Sequence, residues 1–299
     1  MAYAAPMLSS PVAASRRNPL GIHSFVWVGG WDRQQCEYAV ASTSAAGYDL
    51  VEVSGMQPGA IDIAHTRDTL QAAGLASTVT LGLPVSGDIN SEDPTRIERG
   101  RKILMDALDL TSGIGSDFLG GVIFGALNKY DVPTTDAARQ NSAAVIRELA
   151  QEASKRGVRI GLEFVNRYES NLLNTVQQTL DYIDVVGEPN VYVHADVYHM
   201  NIEERNFRDP LLACGDRLGY IHIGESNRGY LGTGTIDFDE VFDALIEMGY
   251  AGAVTFESFS SRIVDDQLAV ALCVWRDLWE DSMDLAVHAR AFIEQRLGA

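Results

Sequence analysis

Short runs of β-branched and aromatic residues alternate along this chain with longer stretches of helical period. The apolar runs are 20–27 (LGIHSFVW), 48–53 (YDLVEV), 76–82 (ASTVTLG), 117–124 (DFLGGVIF), 159–164 (RIGLEF), 191–196 (VYVHAD), 219–223 (GYIHI) and 253–257 (AVTFE). Strands buried on both faces read this way. Between them, residues 34–47, 60–73, 94–112, 135–156, 175–186, 239–248 and 267–296 are rich in helix formers, many with apolar positions at i, i+3 and i+4. Residues 209–216 form a shorter, weaker helical stretch. Gly47, Gly74, Gly157 and Gly249 each fall just after a helix, where a left-handed C-cap favours glycine. Eight strand–helix pairs in succession predict an α/β fold, a (β/α)8 TIM barrel. The competing open, doubly wound sheet would carry a glycine-rich phosphate loop after its first strand. Here VGGWDRQQ follows that strand, without the GxGxxG spacing.

The 299 residues would suit two ordinary domains, but one barrel of roughly 250 residues fills most of them. No Pro/Ser/Gly-rich linker divides the chain after Pro19, so 20–299 is read as one domain. Residues 1–19 are rich in Ala, Ser and Pro and are read as a mobile leader. Arg16 and Arg17 follow a broken apolar run instead of preceding a long one, which is not the pattern of a signal peptide. No stretch approaches the ~20 apolar residues of a membrane span. The net charge of −18 repels phosphate backbones and anionic lipid, so nucleic acid and membrane are poor partners. Cys36, Cys214 and Cys273 are far apart and form no CxxC pair, which fits a reducing cytoplasm and argues against a disulfide framework or a cysteine-based zinc site.

A barrel of this kind places its active site where strands end and βα loops begin. Strand two carries Glu52 near its end. Strands five to eight carry Glu163, Asp196, His222 and Glu257 at or near theirs. Taken singly, an acid at a strand end is usually a surface charge or a helix cap, and a lone His222 is more often a hydrogen-bonded core histidine. Together, four polar groups converging on a barrel mouth are costly to desolvate, and a metal ion offsets much of that cost. Three oxygen donors and one imidazole suit Mn²⁺, Mg²⁺ or Co²⁺. Around them lie Glu169, His199 and Arg228; His199 is placed to hydrogen-bond a metal-bound oxygen. Arg167 reads as a structural ion pair. Trp27 and Trp31, near the end of strand one, are candidates for an apolar wall.

The motifs LEFVNRYESNLLNT, HADVYHMNIEE, IHIGESNRGYLGTG, FESFSS and VWRDLW resemble the D-tagatose 3-epimerase family of ketose 3-epimerases, from about Gly21 to the C-terminus. HIGES, RGYLGTG and FESFSS are most similar to the L-ribulose 3-epimerase and D-allulose (D-psicose) 3-epimerase branch. The resemblance implies one divalent ion, Mn²⁺ first, held by Glu163, Asp196, His222 and Glu257. It implies that Glu169, His199 and Arg228 contact a free ketose, and that the subunits form a homodimer or homotetramer. The chain departs from the family at Ala195-Asp196-Val197-Tyr198-His199, where many relatives read L-D-T-F-H, and near Leu127, where many carry tryptophan.

The reaction so implied moves a proton off C3 of a ketose and returns one on the opposite face, through an enediolate stabilised by the ion. Glu163 and Glu257 are the expected acid–base pair, Asp196 and His222 ligands only. Substrates of the D-fructose/D-allulose, D-tagatose/D-sorbose and L-ribulose/L-xylulose type are expected. The rivals are a metal-dependent aldose–ketose isomerase on the same barrel and a sugar-binding barrel without turnover.

Overall fold

The computed structural model describes residues 18–264 and 266–298. Among them, eight parallel strands close into a barrel in sequence order, each paired with its chain neighbour and β1 with β8. The strands are β1 (Leu20–His23), β2 (Leu50–Ser54), β3 (Ala76–Leu83), β4 (Phe118–Ala126), β5 (Arg159–Glu163), β6 (Val191–Asp196), β7 (Leu218–Ile223) and β8 (Val254–Phe256). The main outer helices are α1 (Arg33–Ala45), α2 (Ile63–Ala73), α3 (Pro94–Gly113), α4 (Asp136–Lys155) and α5 (Val176–Val186). After β6 come α6 (Val197–Glu203) and α7 (Arg208–Cys214), then α8 (Phe238–Glu247), α9 (Asp266–Ala271) and α10 (Ser282–Leu297). No helix among the described residues is long and apolar enough to cross a membrane.

The strands are apolar because both faces are covered. Leu20, Ile22, Val51, Val53, Val79, Leu119, Ile160, Leu162, Val193, Ile221 and Val254 are all fully buried. Gly121 marks a close approach of two strands. Its φ is +104°, and a Cβ there would lie 2.2 Å from the Leu81 carbonyl oxygen, so only glycine fits. The helices begin on side-chain caps: Asp32, Asp62, Asp93, Thr135 and Thr175 each accept from a backbone N–H of the first turn.

Three expectations need correction. The first apolar run stops being a strand at His23, because Ser24–Val26 form a single 3-10 turn. The segment after β6, where the barrel pattern leads one to expect a βα loop, is the short helix α6, whose N-cap is Asp196 itself. The helical stretch 267–296 is broken between Ala271 and Ser282. There Cys273 takes a left-handed φ of 54°, and Asp281 restarts the helix by accepting from Met283 and Asp284 N–H. The expected leader lies mostly outside the described residues. Its last two residues are tied to the barrel: Asn18 Nδ2 donates to the Tyr250 and Gly252 carbonyls, and the Pro19 carbonyl accepts from Val254 N–H.

Candidate active site

Parallel pairing sets the heights of the functional groups. Asp196 is level with His222 across β6–β7, and His23 with Glu52 across β1–β2. Glu163 ends β5, and Glu257 follows β8, its N–H still bonded to the Ile223 carbonyl. The four expected ligands meet: Glu163, Asp196, His222 and Glu257 each offer an atom within 4.8 Å of the other three, and all four are buried. His222 Nδ1 lies 3.2 Å from Glu163 Oε1 and 3.5 Å from Glu257 Oε1, and makes no hydrogen bond.

The orientation of that nitrogen comes from the opposite side of the barrel. His222 Nε2 is 2.8 Å from Glu52 Oε2, which turns Nδ1 toward the other acids. Glu52 is fully buried and also accepts from Tyr220 Oη (2.9 Å) and Thr80 Oγ1 (2.5 Å). His23 adds a further contact. Its Nδ1 accepts from Phe25 N–H, so its protonated Nε2 faces Glu52 Oε1 at 3.4 Å. Burial opposes charge on Glu52, yet His222 and His23 outweigh it and hold the carboxyl well below the usual range. The strand-end logic that found the quartet had reached Glu52, but assigned it no role; it passed over His23.

The electrostatics fit a cation. Burial lifts the Glu163 carboxyl to about 7, with His222 pulling the other way. Burial favours neutral His222, but Glu257, Glu52 and Glu163 raise its pKa well above the usual imidazole value. An imidazole nitrogen without a hydrogen bond, facing clustered carboxylate oxygens, is a donor set suited to a divalent ion.

Glu163, His222 and Glu257 line a cavity at the barrel mouth, with Glu169, His199 and Arg228 on its wall. Asn166 sets two of these groups. Its N–H donates to His199 Nδ1 (3.2 Å), which leaves the protonated Nε2 3.5 Å from Asp196 Oδ2. Its Nδ2 donates to Glu169 Oε1 (2.7 Å). Burial keeps His199 neutral, its pKa lowered to about 3 although Asp196 pulls upward. Arg228 bridges Glu257 Oε2 (2.7 Å) and Asp196 Oδ2 (3.3 Å), its guanidinium 3.7 Å above the Tyr198 ring and 4.9 Å from Phe259. Its backbone is left-handed (φ 58°), held by the Ser258 hydroxyl on its carbonyl and by its own N–H on the Glu225 carbonyl. Buried Glu225 gathers the N–H groups of Ser226 and Gly232 and so shapes this loop. Arg167 pairs with Glu203, as expected.

Trp27 is a correction. The turn after His23 carries it into the core, and Phe25 lines the cavity in its place. Leu127 also lines the cavity, packed over Gly82. So do Leu268 of α9 and Leu272 just beyond it.

The fold and site define a class first: the family model described as "xylose isomerase-like TIM barrel" matches residues 40–288. Individual relatives are more specific. The chain is 47% identical to the L-ribulose 3-epimerase of Methylomonas sp., over 95% of this chain and 100% of that one. It is 44% identical to the ketose 3-epimerase of Arthrobacter globiformis, over 94% and 97% of the two chains. The crystal structure of D-allulose 3-epimerase from Methylomonas sp. in complex with D-allulose superposes with a TM-score of 0.92, at 47% identity, covering 94% of this chain and 98% of that one. This chain belongs to the ketose 3-epimerases and is a carbohydrate isomerase.

Proposed function

We propose that this enzyme interconverts free ketoses at C3, with Glu163 and Glu257 as the acid–base pair and one divalent ion, Mn²⁺ in the first instance, held by Glu163, Asp196, His222 and Glu257. The observation that carries the reading is the placement of the two glutamates, each facing the same His222 nitrogen, at 3.2 and 3.5 Å, on the wall of one cavity. When bound, the ion supplies Lewis acidity that makes the proton α to the carbonyl easier to remove.

The chain's own groups do the rest. One glutamate takes the proton from C3 and the other delivers a proton to the opposite face, so the pair is ready for the reverse reaction after each turnover. The Nε2–H of His199 donates to the sugar oxygen at C2. Arg228, clasped between Tyr198 and Phe259, donates to neighbouring hydroxyls. Glu169, steadied by Asn166, accepts from the O1 end. The apolar side chains of Phe25, Met56, Leu127, Leu268 and Leu272 exclude water from the other end.

Free ketohexoses and ketopentoses of the D-fructose/D-allulose, D-tagatose/D-sorbose and L-ribulose/L-xylulose pairs are the proposed substrates. The three cysteines are all free thiols, which supports a reducing cytoplasm. A homodimer or homotetramer is the proposed assembly. Exposed Tyr168, next to mouth residue Glu169, and exposed Trp275, beside Glu169 in a neighbouring depression, support it. Sedimentation at micromolar concentration decides it.

The test is isotopic. Product formed from a free ketose in D₂O carries deuterium at C3, with little at C1 in early turnover, because the second carboxyl exchanges with water before it is used. An aldose–ketose isomerase would form an aldose, with exchange at C1 or C2. Early product that keeps its substrate hydrogen at C3 overturns the two-glutamate reading.

A further inference from the structure

Beneath the proposed ligands lies an imidazole that the C3 chemistry does not use. His194 is fully buried, and neither of its ring nitrogens makes a hydrogen bond. Phe118, Tyr220 and His222 meet the ring edge to face, with centroids 6.0, 4.9 and 4.3 Å away. Histidine is a poor choice for apolar filler, because a buried polar atom without a partner is costly. Ligation of an ion satisfies one of the two nitrogens.

Strand register sets what His194 can reach. It is level with Glu163 across β5–β6, while Asp196, two residues further on, is level with His222. Residues two apart on a strand share a face, so His194 and Asp196 both point into the barrel, at successive depths. Glu163 serves both depths. Its Oε1 lies 3.2 Å from His222 Nδ1, and its Oε2 lies 3.9 Å from His194 Nδ1. Glu163, His194 and His222 each offer one atom within 4.8 Å of the other two, and all three are buried. Ligand bonds of about 2.0–2.2 Å hold neighbouring donors roughly 3–4 Å apart, and these separations fall in that range. His222 Nε2 is committed to Glu52, so Nδ1 is the nitrogen that faces an ion at either depth. The two positions share His222 Nδ1 and Glu163, and an ion in one excludes an ion in the other.

The donor types differ as well. The quartet presents three carboxylates and one imidazole, which suits Mn²⁺ or Mg²⁺. The deeper set presents one carboxylate and two imidazoles, a recurring donor set for Zn²⁺. We propose that Glu163, His194 and His222 form a second, inhibitory seat for nitrogen-preferring divalent ions, Zn²⁺ foremost, in competition with the catalytic ion. This rests on the quartet reading for that ion. Zinc so placed withholds Glu163 from C3 and His222 from the quartet, and so stops proton transfer. An ion entering the mouth meets Glu163 and His222 on the cavity wall, with His194 behind them.

The test adds Zn²⁺ to the Mn²⁺-loaded protein and reads two signals. Electron paramagnetic resonance should show Mn²⁺ released one for one as zinc binds. X-ray absorption at the zinc edge should count two imidazole ligands. His194→Leu, and His194→Gln as a second filling of the space, should lower that count to one. Both should weaken zinc by about tenfold or more and change Mn²⁺ affinity by less than about threefold. One imidazole in the unaltered protein overturns the proposal, because zinc then sits in the quartet. So do two imidazoles that persist in either variant, zinc that binds without releasing Mn²⁺, or equal losses of zinc and Mn²⁺ affinity. Protein that never takes up Mn²⁺ overturns the quartet reading instead, and the zinc-edge count on metal-free protein then decides the deeper seat.

Discussion

The two halves of the barrel mouth are built differently. Strands β5 to β8 present Glu163, Asp196, His222 and Glu257, four groups that converge on one point. Strands β1 to β4 present Phe25, Ser54, Met56, Leu81, Gly121 and Leu127 to the same cavity. In the proposed reaction one half carries charge and proton transfer, and the other carries shape. They are not independent, because Glu52 and His23 reach across from the shaping half to orient His222. A division of labour between chemistry and fit thus rests on one buried carboxylate that crosses the line.

Metal removal should break the comparison most completely. Exhaustive chelation is expected to abolish turnover, and Mn²⁺ or Co²⁺ to restore it. It should also lower Tm, since an ion that binds only the folded state stabilises it by mass action. Activity assay and calorimetry on metal-analysed protein check both. Full activity in a verified metal-free sample would refute the charged half's assigned role.

Next come the glutamates. Glu163→Gln or Glu257→Gln keeps shape and one oxygen donor but removes the base, so turnover should fall by roughly 10²-fold or more. Asp196→Asn should act through weaker metal binding and be partly rescued by excess metal. His199→Ala and Arg228→Ala should lower catalysis while the purified protein keeps its metal. Metal lost from His199→Ala would make that histidine a ligand.

Glu52→Gln tests the crossing itself. The neutral amide still fills the space but no longer offers two anionic oxygens to His222, Tyr220 and Thr80. Metal affinity should weaken by about 10–100-fold, the scale of partners standing behind a metal ligand. Equilibrium titration of metal-free protein reads it directly. Unchanged affinity would mean that the two halves work separately.

The same division explains what could be read from the amino acids. The charged half was legible because each proposed ligand sits at or near the end of an apolar run, where a polar residue needs a reason. The barrel order was legible because glycine C-caps and apolar runs alternate with little interruption. The helix break between Ala271 and Ser282 was not, because LCVWRDLWED holds neither Gly nor Pro and has ordinary helical composition. There the chain must leave the mouth, where Leu268 and Leu272 line the cavity, and run down to α10 against α8 and β8. That path is set by packing, which overrides propensity. Asp281-Ser282 was the available sign of a restart. Trp27 misled for a related reason: the run 20–27 is apolar apart from His23 and Ser24, and nothing local shows that the strand turns after His23 and exchanges Trp27 for Phe25 at the cavity.

The smallest effect belongs to the shaping half. Leu127 follows β4, packs over Gly82 and lines the cavity. Leu127→Ala removes apolar wall and leaves Glu163 and Glu257 where they are. The lost contacts affect ground state and transition state alike, so KM should rise a few-fold with kcat nearly constant. Discrimination between a ketohexose and a ketopentose should change by less than about tenfold, since one apolar contact in a pocket is worth only about 1–3 kcal/mol. Steady-state kinetics on D-fructose and L-ribulose with matched metal loading measures both quantities. A loss in kcat as large as that of Glu257→Gln would show that the wall positions the reacting carbon, and the separation of shape from chemistry at this mouth would have to be abandoned.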